Sequence, residues 1–274
     1  THAFFKALLF LGAGSVIHAM SDEQDLRKMG GLAKLVPITC AVMWIGNLAL
    51  AGIPPFAGAY SKDAIIEAAY AAHTPVGTYA FACTILAAFL TAFYSWRLLY
   101  LAFHGAARAD RHTMEHVHES PLVMTGPLMV LAVGALVAGF AGADAFIGHG
   151  EHAFWHGAIF TAASNHTLEH MHHVPAWVGL LPIGVAAAGI LLATYMYLLN
   201  PHLPIRLAQR YRPIYLFLLN KWYFDELYDR ILVRPCLCLA RGFWRIGDAT
   251  IIDGVPNGLA SLTALILGMA TVRA

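Results

Sequence analysis

The sequence predicts an all-α integral membrane protein: a bundle of transmembrane helices, one of them discontinuous, followed by a long amphipathic helix. Hydrophobic residues make up 59% of the 274 residues and charged residues only 12%, whereas about a quarter of the residues are charged in a soluble domain. Several apolar stretches are as long as the roughly 20 residues that a helix needs to cross a bilayer. The formal net charge of +1 gives no reason to expect a nucleic-acid partner.

Five apolar segments are predicted to cross the membrane in a bundle that covers residues 1–212. They lie at about 1–19, 35–72, 76–103, 121–141 and 175–199. The first segment is already apolar at Thr1, with no Met or charged stretch before it, which is not the pattern of a signal peptide. We therefore expect the sequence to begin inside a longer chain.

Lysine and arginine residues predict which loops face the cytoplasm. They lie in the loop after the first segment, around the loop after the third and after the last: Arg27, Lys28, Lys34, Arg97, Arg108, Arg111, Arg206, Arg210 and Arg212. The loop at 142–174 contains neither residue type. We therefore expect this loop on the outer side of the membrane, together with the short connection at Thr74 and Pro75.

The second apolar segment is predicted to be discontinuous, because Pro54 and Pro55 follow one another within it. Each proline removes an amide donor and clashes with the preceding helical turn. Broken helices occur in membranes where protein or water satisfies the freed backbone groups, usually beside a polar cavity. Lys62 and Asp63 follow soon after this break.

Lys62 is the strongest candidate for a functional residue. A lysine at membrane depth costs about 2.5–3.5 kcal/mol on insertion scales, and such residues usually face a water-filled or proton-carrying interior. The structural alternative is that the break places Lys62 near an interface, where its amine extends to the lipid headgroups. We favour the functional interpretation, because the helix break and the lysine occur together.

His2 and Lys6 lie four residues apart, on one face of the first segment. About a dozen apolar or small residues follow Lys6 before the polar loop, which predicts a position near the middle of the membrane. A histidine exchanges protons near physiological pH. We expect His2, Lys6, Lys62 and Asp63 to form a proton path, with the intervening space filled by water and by Ser15 and Ser61.

Metal and redox sites are not expected on this chain. The four cysteines contain no C-x-x-C pair and no cluster-type run. His152 with His156, and His166 with His170, have a spacing that permits metal binding on a helix. We prefer a solvated, pH-sensitive loop as the explanation of these outer histidines.

Residues 213–274 are predicted to form a connector and an amphipathic helix along the membrane surface, because charges and apolar residues alternate there at helical spacing. We expect this helix to be broken or bent near Pro235 and near Gly254–Pro256. The part after Pro256 is apolar enough that insertion into the membrane is the alternative.

The stretches "THAFFKALLFLGAGSVIHA", "MGGL", "LALAGIPPFAGAYSKDAII", "KWYFDELYD" and "DATIIDGVPNG", in this order, identify a family. They resemble the C-terminal half of the antiporter-like subunit L family, called chain 5 in mitochondria, of the proton-pumping NADH:quinone oxidoreductase, respiratory complex I. The resemblance implies an antiporter-like bundle in which His2 and Lys6 match the central histidine and lysine. Lys62 matches the lysine at the second broken helix, with Asp63 beside it.

The resemblance also implies a function and partners. Proton translocation would be coupled to electron transfer from NADH to quinone, with NADH, quinone, FMN and iron–sulfur clusters bound by other subunits. The helix from Asp225 onward would run laterally along neighbouring antiporter-like subunits of the membrane arm, in contact with lipids. We expect the inner membrane of a bacterium, with the mitochondrial inner membrane as the alternative.

Two other functions are consistent with the same sequence features. The large subunit of a multi-subunit cation/proton antiporter shares the pattern of Lys6 and Lys62, although "DELYD" followed by "DGVPNG" favours complex I. In the third interpretation the chain is a structural brace that acts mainly through its lateral helix.

Overall fold

A computed structural model describes residues 1–162 and 164–272, and within these ranges the chain contains helices and loops but no β-strand. The prediction of an all-α fold is therefore confirmed. The chain divides into two compact units, Thr1–Pro204 and Ile205–Ala274.

The first unit contains the helix bundle. Its helices are α1 (His2–Ala19), α2 (Pro37–Ala51), α3 (Ala57–Ala71), α4 (Pro75–Phe103), α5 (Arg111–His116), α6 (Leu122–Ile147), α7 (Glu151–Trp155), α8 (Thr167–Met171) and α9 (Ala176–Thr194), followed by a π-helical turn at Tyr195–Leu199. By length and composition α1, α4, α6 and α9 with its π-turn can each cross a membrane. The second predicted segment is divided between α2 and α3, each of 15 residues.

Helix α2 lies at the centre of the bundle, since it contributes to all three clusters of buried apolar residues. Met43 packs with α1, α4 and the loop after α1; Ala49 packs with α1 and α6; Ala51 packs with α4 and α9. Many of the buried residues are alanines, and small residues allow membrane helices to approach closely.

The loops predicted to be cytoplasmic are joined by Arg108. Its guanidinium donates hydrogen bonds to the carbonyl oxygens of Leu26 (3.0 Å), Arg27 (3.0 Å) and Leu101 (2.6 Å). The side chain and backbone of Arg27 donate to the carboxylate of Asp25, and these hydrogen bonds lower the pKa of Asp25 to about 2. Arg108 therefore ties the loop after α1 to the end of α4.

Helix α2 ends at Gly52, whose φ of +76° suits a glycine because it has no Cβ. The amide of Gly52 donates to the carbonyl of Ala49 and that of Ile53 to the carbonyl of Leu48, both at 3.1 Å. A Cβ atom at Gly58 would overlap the carbonyl oxygen of Ala49. The start of α3 therefore packs directly against the last turn of α2.

The second unit is also helical. It contains most of α10 (His202–Arg210), then α11 (Arg212–Leu219), α12 (Phe224–Tyr228), α13 (Arg234–Gly242) and α14 (Gly254–Val272), with π-helical segments at Asp229–Val233 and Phe243–Ile252. By length and composition Lys221–Met269 also qualifies as a candidate membrane span.

The helix is not broken at Pro235, where a π-helical segment leads directly into α13, whereas near Gly254–Pro256 a turn at Asp253 separates the second π-helical segment from α14. The alternative of a bend at either place stays a prediction. A π-helical segment precedes each proline. Such a segment shifts the hydrogen-bond pattern by one residue, and each proline then falls in the first turn of an α-helix, where its missing amide is tolerated.

Gly58→Ala is expected to destabilise the bundle, because the added methyl group would push α3 away from α2. Overpacking of this kind costs about 1–3 kcal/mol or more. The measurement is the thermal unfolding midpoint of the detergent-solubilised protein that carries the variant. Gly184→Ala is the matched control, since a Cβ at Gly184 has nothing within 4 Å. Equal midpoints for the two variants would contradict the close contact.

Candidate functional site

Lys62 lies in the second turn of α3 and caps the end of α2. Its Nζ donates a hydrogen bond of 2.7 Å to the carbonyl oxygen of Ala51. In a continuous helix that carbonyl would accept from the amide of residue 55, but Pro55 has no amide hydrogen. A positive charge at a helix C-terminus also interacts favourably with the helix dipole. The break thus creates the acceptor that holds the lysine.

The side chain of Lys62 runs across the backbone of α2. A Cβ at Gly52 would lie 2.9 Å from Cδ of Lys62, so the glycine leaves room for the lysine as well as for its own positive φ. Lys62 is half-buried. The sequence places the proline pair, the glycine and the lysine within a few residues of one another, and the structure brings them into one contact.

Asp63 lines a different surface of α3, which faces a space that we call the outer cavity. Its volume is about 530 Å³, and its acidic and histidine lining residues are Asp63, Glu67, Asp144 and His172. The Oδ1 atom of Asp63 is buried and has no hydrogen-bond partner within the described chain. The Nε2 atom of His172 lies 3.1 Å from the carbonyl oxygen of Ile147, which holds this histidine of the outer loop at the cavity.

His2 and Lys6 line another space, which we call the Lys6 cavity. It has a volume of about 450 Å³, is bounded by α1, α2 and α4, and also includes Asn47 and Ser95 among its lining residues. The ring of His2 packs edge to face against Phe5 with a centroid distance of 5.2 Å. Lys62 is not among the lining residues, so the Lys6 cavity stops short of Lys62.

The two serines that the sequence suggests for the proton path form hydrogen bonds outside the Lys6 cavity. Ser61 accepts a hydrogen bond of 2.6 Å from the hydroxyl of Thr1. Ser15 is buried near the C-terminal end of α1, and its hydroxyl forms hydrogen bonds with those of Thr39 (2.8 Å) and Ser120 (2.6 Å). Neither serine lines the Lys6 cavity.

Glu119 caps the N-terminus of α2, a role that the sequence analysis missed. One carboxylate oxygen accepts hydrogen bonds from the backbone amides of Ile38 (2.7 Å) and Thr39 (3.2 Å), and the other accepts from the Thr39 hydroxyl (2.6 Å). With Ser15 and Ser120 these groups form a buried hydroxyl network. The residues are up to 105 positions apart, so no local spacing could reveal them.

The outer histidines contact one another through their rings. The rings of His166 and His170 stack with a centroid distance of 6.0 Å, and His170 also lies 6.0 Å from His73. Over residues 1–162 and 164–272, no group of three or more histidine, cysteine or acidic residues is arranged to hold a metal ion.

Comparison with known proteins gives consistent similarities. Residues 1–91 match the family described as NADH:quinone oxidoreductase/Mrp antiporter, transmembrane. NADH-quinone oxidoreductase subunit L of Rhodobacter capsulatus is 42% identical over 95% of this chain and 45% of its own length. Subunit L of Neisseria meningitidis serogroup B is 40% identical over 97% of this chain and 43% of its own length. NADH-ubiquinone oxidoreductase chain 5 of Marchantia polymorpha is 41% identical over 94% of this chain and 38% of its own length. The chain therefore spans less than half the length of these relatives.

Thr39→Val is expected to destabilise the bundle, because it removes the hydroxyl that joins Ser15 to Glu119 and takes one hydrogen bond from each of these partners. The loss is about 1–3 kcal/mol, measured as a lower unfolding midpoint. Thr78→Val is the control, since the exposed hydroxyl of Thr78 bonds only to the carbonyl of Thr74 on its own helix. An unchanged midpoint for Thr39→Val would show that the network contributes nothing to stability.

Proposed function

The chain belongs to the family of NADH-quinone oxidoreductase subunit L and NADH-ubiquinone oxidoreductase chain 5, and we propose that it is a proton-translocating part of that subunit. The complex it serves would be respiratory complex I, which couples NADH:quinone electron transfer to proton pumping. Its long apolar helices and its bacterial relatives support a multi-pass protein of a bacterial inner membrane. The mitochondrial inner membrane is the alternative.

The observation that carries this proposal is the hydrogen bond from Lys62 to Ala51 at the break between α2 and α3. A protonated lysine has three N–H donors, and a neutral amine keeps two. Lys62 can therefore give up a proton while it continues to cap α2. The helix end does not have to unfold each time the amine changes charge, which suits a residue that takes and releases protons repeatedly.

The proposed path runs from the Lys6 cavity to Lys62 and then to the outer cavity. His2 and Lys6 provide exchangeable protons at the first cavity, and Asp63 with Glu67 and His172 provides them at the second. Lys62 and Asp63 are adjacent in sequence, so the lysine lies where the path turns outward. Histidine and carboxyl groups are suited to proton transfer because both exist in protonated and unprotonated forms.

The energy for this transport would come from redox chemistry in other subunits. NADH, quinone, FMN and the iron–sulfur clusters are assigned there, and the spacing of the cysteines in this chain does not match a cluster-binding run. The partners would be neighbouring membrane-arm subunits and lipids. The helical region from Asp225 onward, whose apolar side chains are widely exposed, would provide the contact.

The family description also names Mrp antiporters, so the large subunit of a multi-subunit cation/proton antiporter is a second candidate function. Relatives that cover 95% and 97% of this chain are named subunit L, which favours complex I. A structural brace is the third candidate. If the chain acted only as a brace, truncation at Arg230 would abolish assembly, while substitutions at Lys62 would leave pumping unchanged.

Lys62→Gln in the full-length subunit is expected to assemble and to lose most proton pumping. Glutamine retains an N–H donor for the carbonyl of Ala51 but carries no exchangeable charge. The measurements are proton pumping and NADH:quinone turnover in membranes, with assembly checked on native gels.

Lys28→Gln is the matched control, because Lys28 lies in a loop and pairs with Glu23 at 2.6 Å. This variant is expected to pump normally. Normal pumping in an assembled Lys62→Gln complex would remove Lys62 from the path and favour the brace.

A further inference from the structure

The Lys6 cavity contains a polar group whose role is not explained by the packing. Ser95, on α4, lines this cavity and is only 1% exposed. Its hydroxyl oxygen is buried and has no hydrogen-bond partner within the described chain. Buried hydroxyl groups without a partner are costly and rare in native proteins.

A serine in a helix can usually satisfy its hydroxyl on the carbonyl four residues earlier. Thr84, on the same helix, bonds to the carbonyl of Ala80 in this way at 2.9 Å, and Thr194 on α9 bonds to that of Ile190 at 2.8 Å. Ser95 does not use this option. Its hydroxyl is therefore available to a partner inside the cavity.

Asn47 provides a second buried polar group at the same cavity, from α2. It is 2% exposed, and its Nδ2 donates to the carbonyl of Met43 at 2.8 Å. That bond uses one of the two N–H donors of the amide and neither lone pair of its oxygen. The cavity of about 450 Å³ is large compared with the volume of about 30 Å³ that one water molecule occupies in the liquid.

We propose that Ser95 and Asn47 hold water molecules that carry protons from Lys6 toward Lys62. Asn47 and Ala51 are four residues apart on α2 and lie one above the other on the same face. Because the carbonyl of Ala51 binds Lys62, Asn47 is one helical turn from the acceptor that fixes the lysine amine. The proposed waters occupy the Lys6 cavity as far as Asn47, and the last proton transfer spans the remaining turn of α2 to the Lys62 amine.

The step is a proton transfer with no other change in bonding. The ammonium of Lys6 releases a proton to the first water, each water passes one proton onward, and the neutral amine of Lys62 accepts the last. The positive charge moves from Lys6 to Lys62, and the waters end as they began. This inference rests on the proposed function, since it supplies the connection between two of its residues.

Packing alone predicts a different outcome for Ser95. The neighbouring Ala92 and Trp96 belong to the buried cluster between α2, α4 and α9, where an alanine at position 95 would fit and would remove the unpaired hydroxyl. If Ser95 serves only packing, Ser95→Ala leaves stability equal or higher and leaves pumping unchanged. If Ser95 holds water, the same variant keeps its stability but loses pumping.

The test uses Ser95→Ala in the full-length subunit within the assembled complex. Proton pumping per NADH oxidised is measured in membranes and is expected to fall several-fold, while Ser95→Thr, which keeps the hydroxyl, restores it. Pumping in Ser95→Cys is expected to fall likewise, because a thiol of similar size is a weak hydrogen-bond donor. Thr84→Val is the control on the same helix and is expected to pump normally.

Lys6→Ala and Lys62→Gln are measured beside these variants. Normal pumping in Ser95→Ala and Ser95→Cys, with pumping lost in both lysine variants, would overturn the water site and leave the proposed function in place. Normal pumping in the lysine variants would overturn the proposed function itself. A fall in Ser95→Thr equal to that in Ser95→Ala would also overturn the water site, because the hydroxyl would then be irrelevant.

Discussion

The structure depends on how the two ends of α2 are satisfied. Pro54 and Pro55 end this helix and deprive its last carbonyl groups of amide donors, and Lys62 takes the carbonyl of Ala51. At the other end, Glu119 accepts the free amides. The negative and positive side chains stand at the ends that the helix dipole prefers. Because α2 contributes to all three buried clusters, these two caps fix the centre of the bundle.

The same cap explains how a lysine side chain and a freed backbone carbonyl can lie together at the helix break. A lysine without a partner there is unfavourable, and an unpaired carbonyl is unfavourable as well. The hydrogen bond between the Lys62 amine and the Ala51 carbonyl offsets both costs at the break. In the proposed function this arrangement has a second use, since the amine keeps its place through changes of protonation. Structural and functional roles of Lys62 are therefore compatible, and only substitutions that keep the hydrogen bond while removing the charge can separate them.

The sequence predicted those parts of the fold that depend on local pattern. Apolar length identified the long helices, and the proline pair identified the break. The sequence did not predict the cap formed by Glu119 or the unpaired hydroxyl of Ser95. The first depends on a contact between distant residues and the second on a cavity, and neither leaves a local pattern in the sequence. At Pro235 the helix is not broken, because a π-helical segment leads directly into α13 and places this proline in its first turn. Local residue patterns predicted the helices, whereas contacts between distant helices decided which buried polar groups form hydrogen bonds.

In the proposed function the amine of Lys62 carries protons as well as capping α2. Chemical rescue of Lys62→Cys separates these two roles. Aminoethylation of the introduced thiol restores an amine of nearly the same length, whereas alkylation with iodoacetamide gives a neutral group that can still donate a hydrogen bond. Wild-type complex treated in parallel reports any effect on native cysteines such as Cys83. We expect pumping to return only with the amine; equal recovery with the neutral group would show that Lys62 only caps α2.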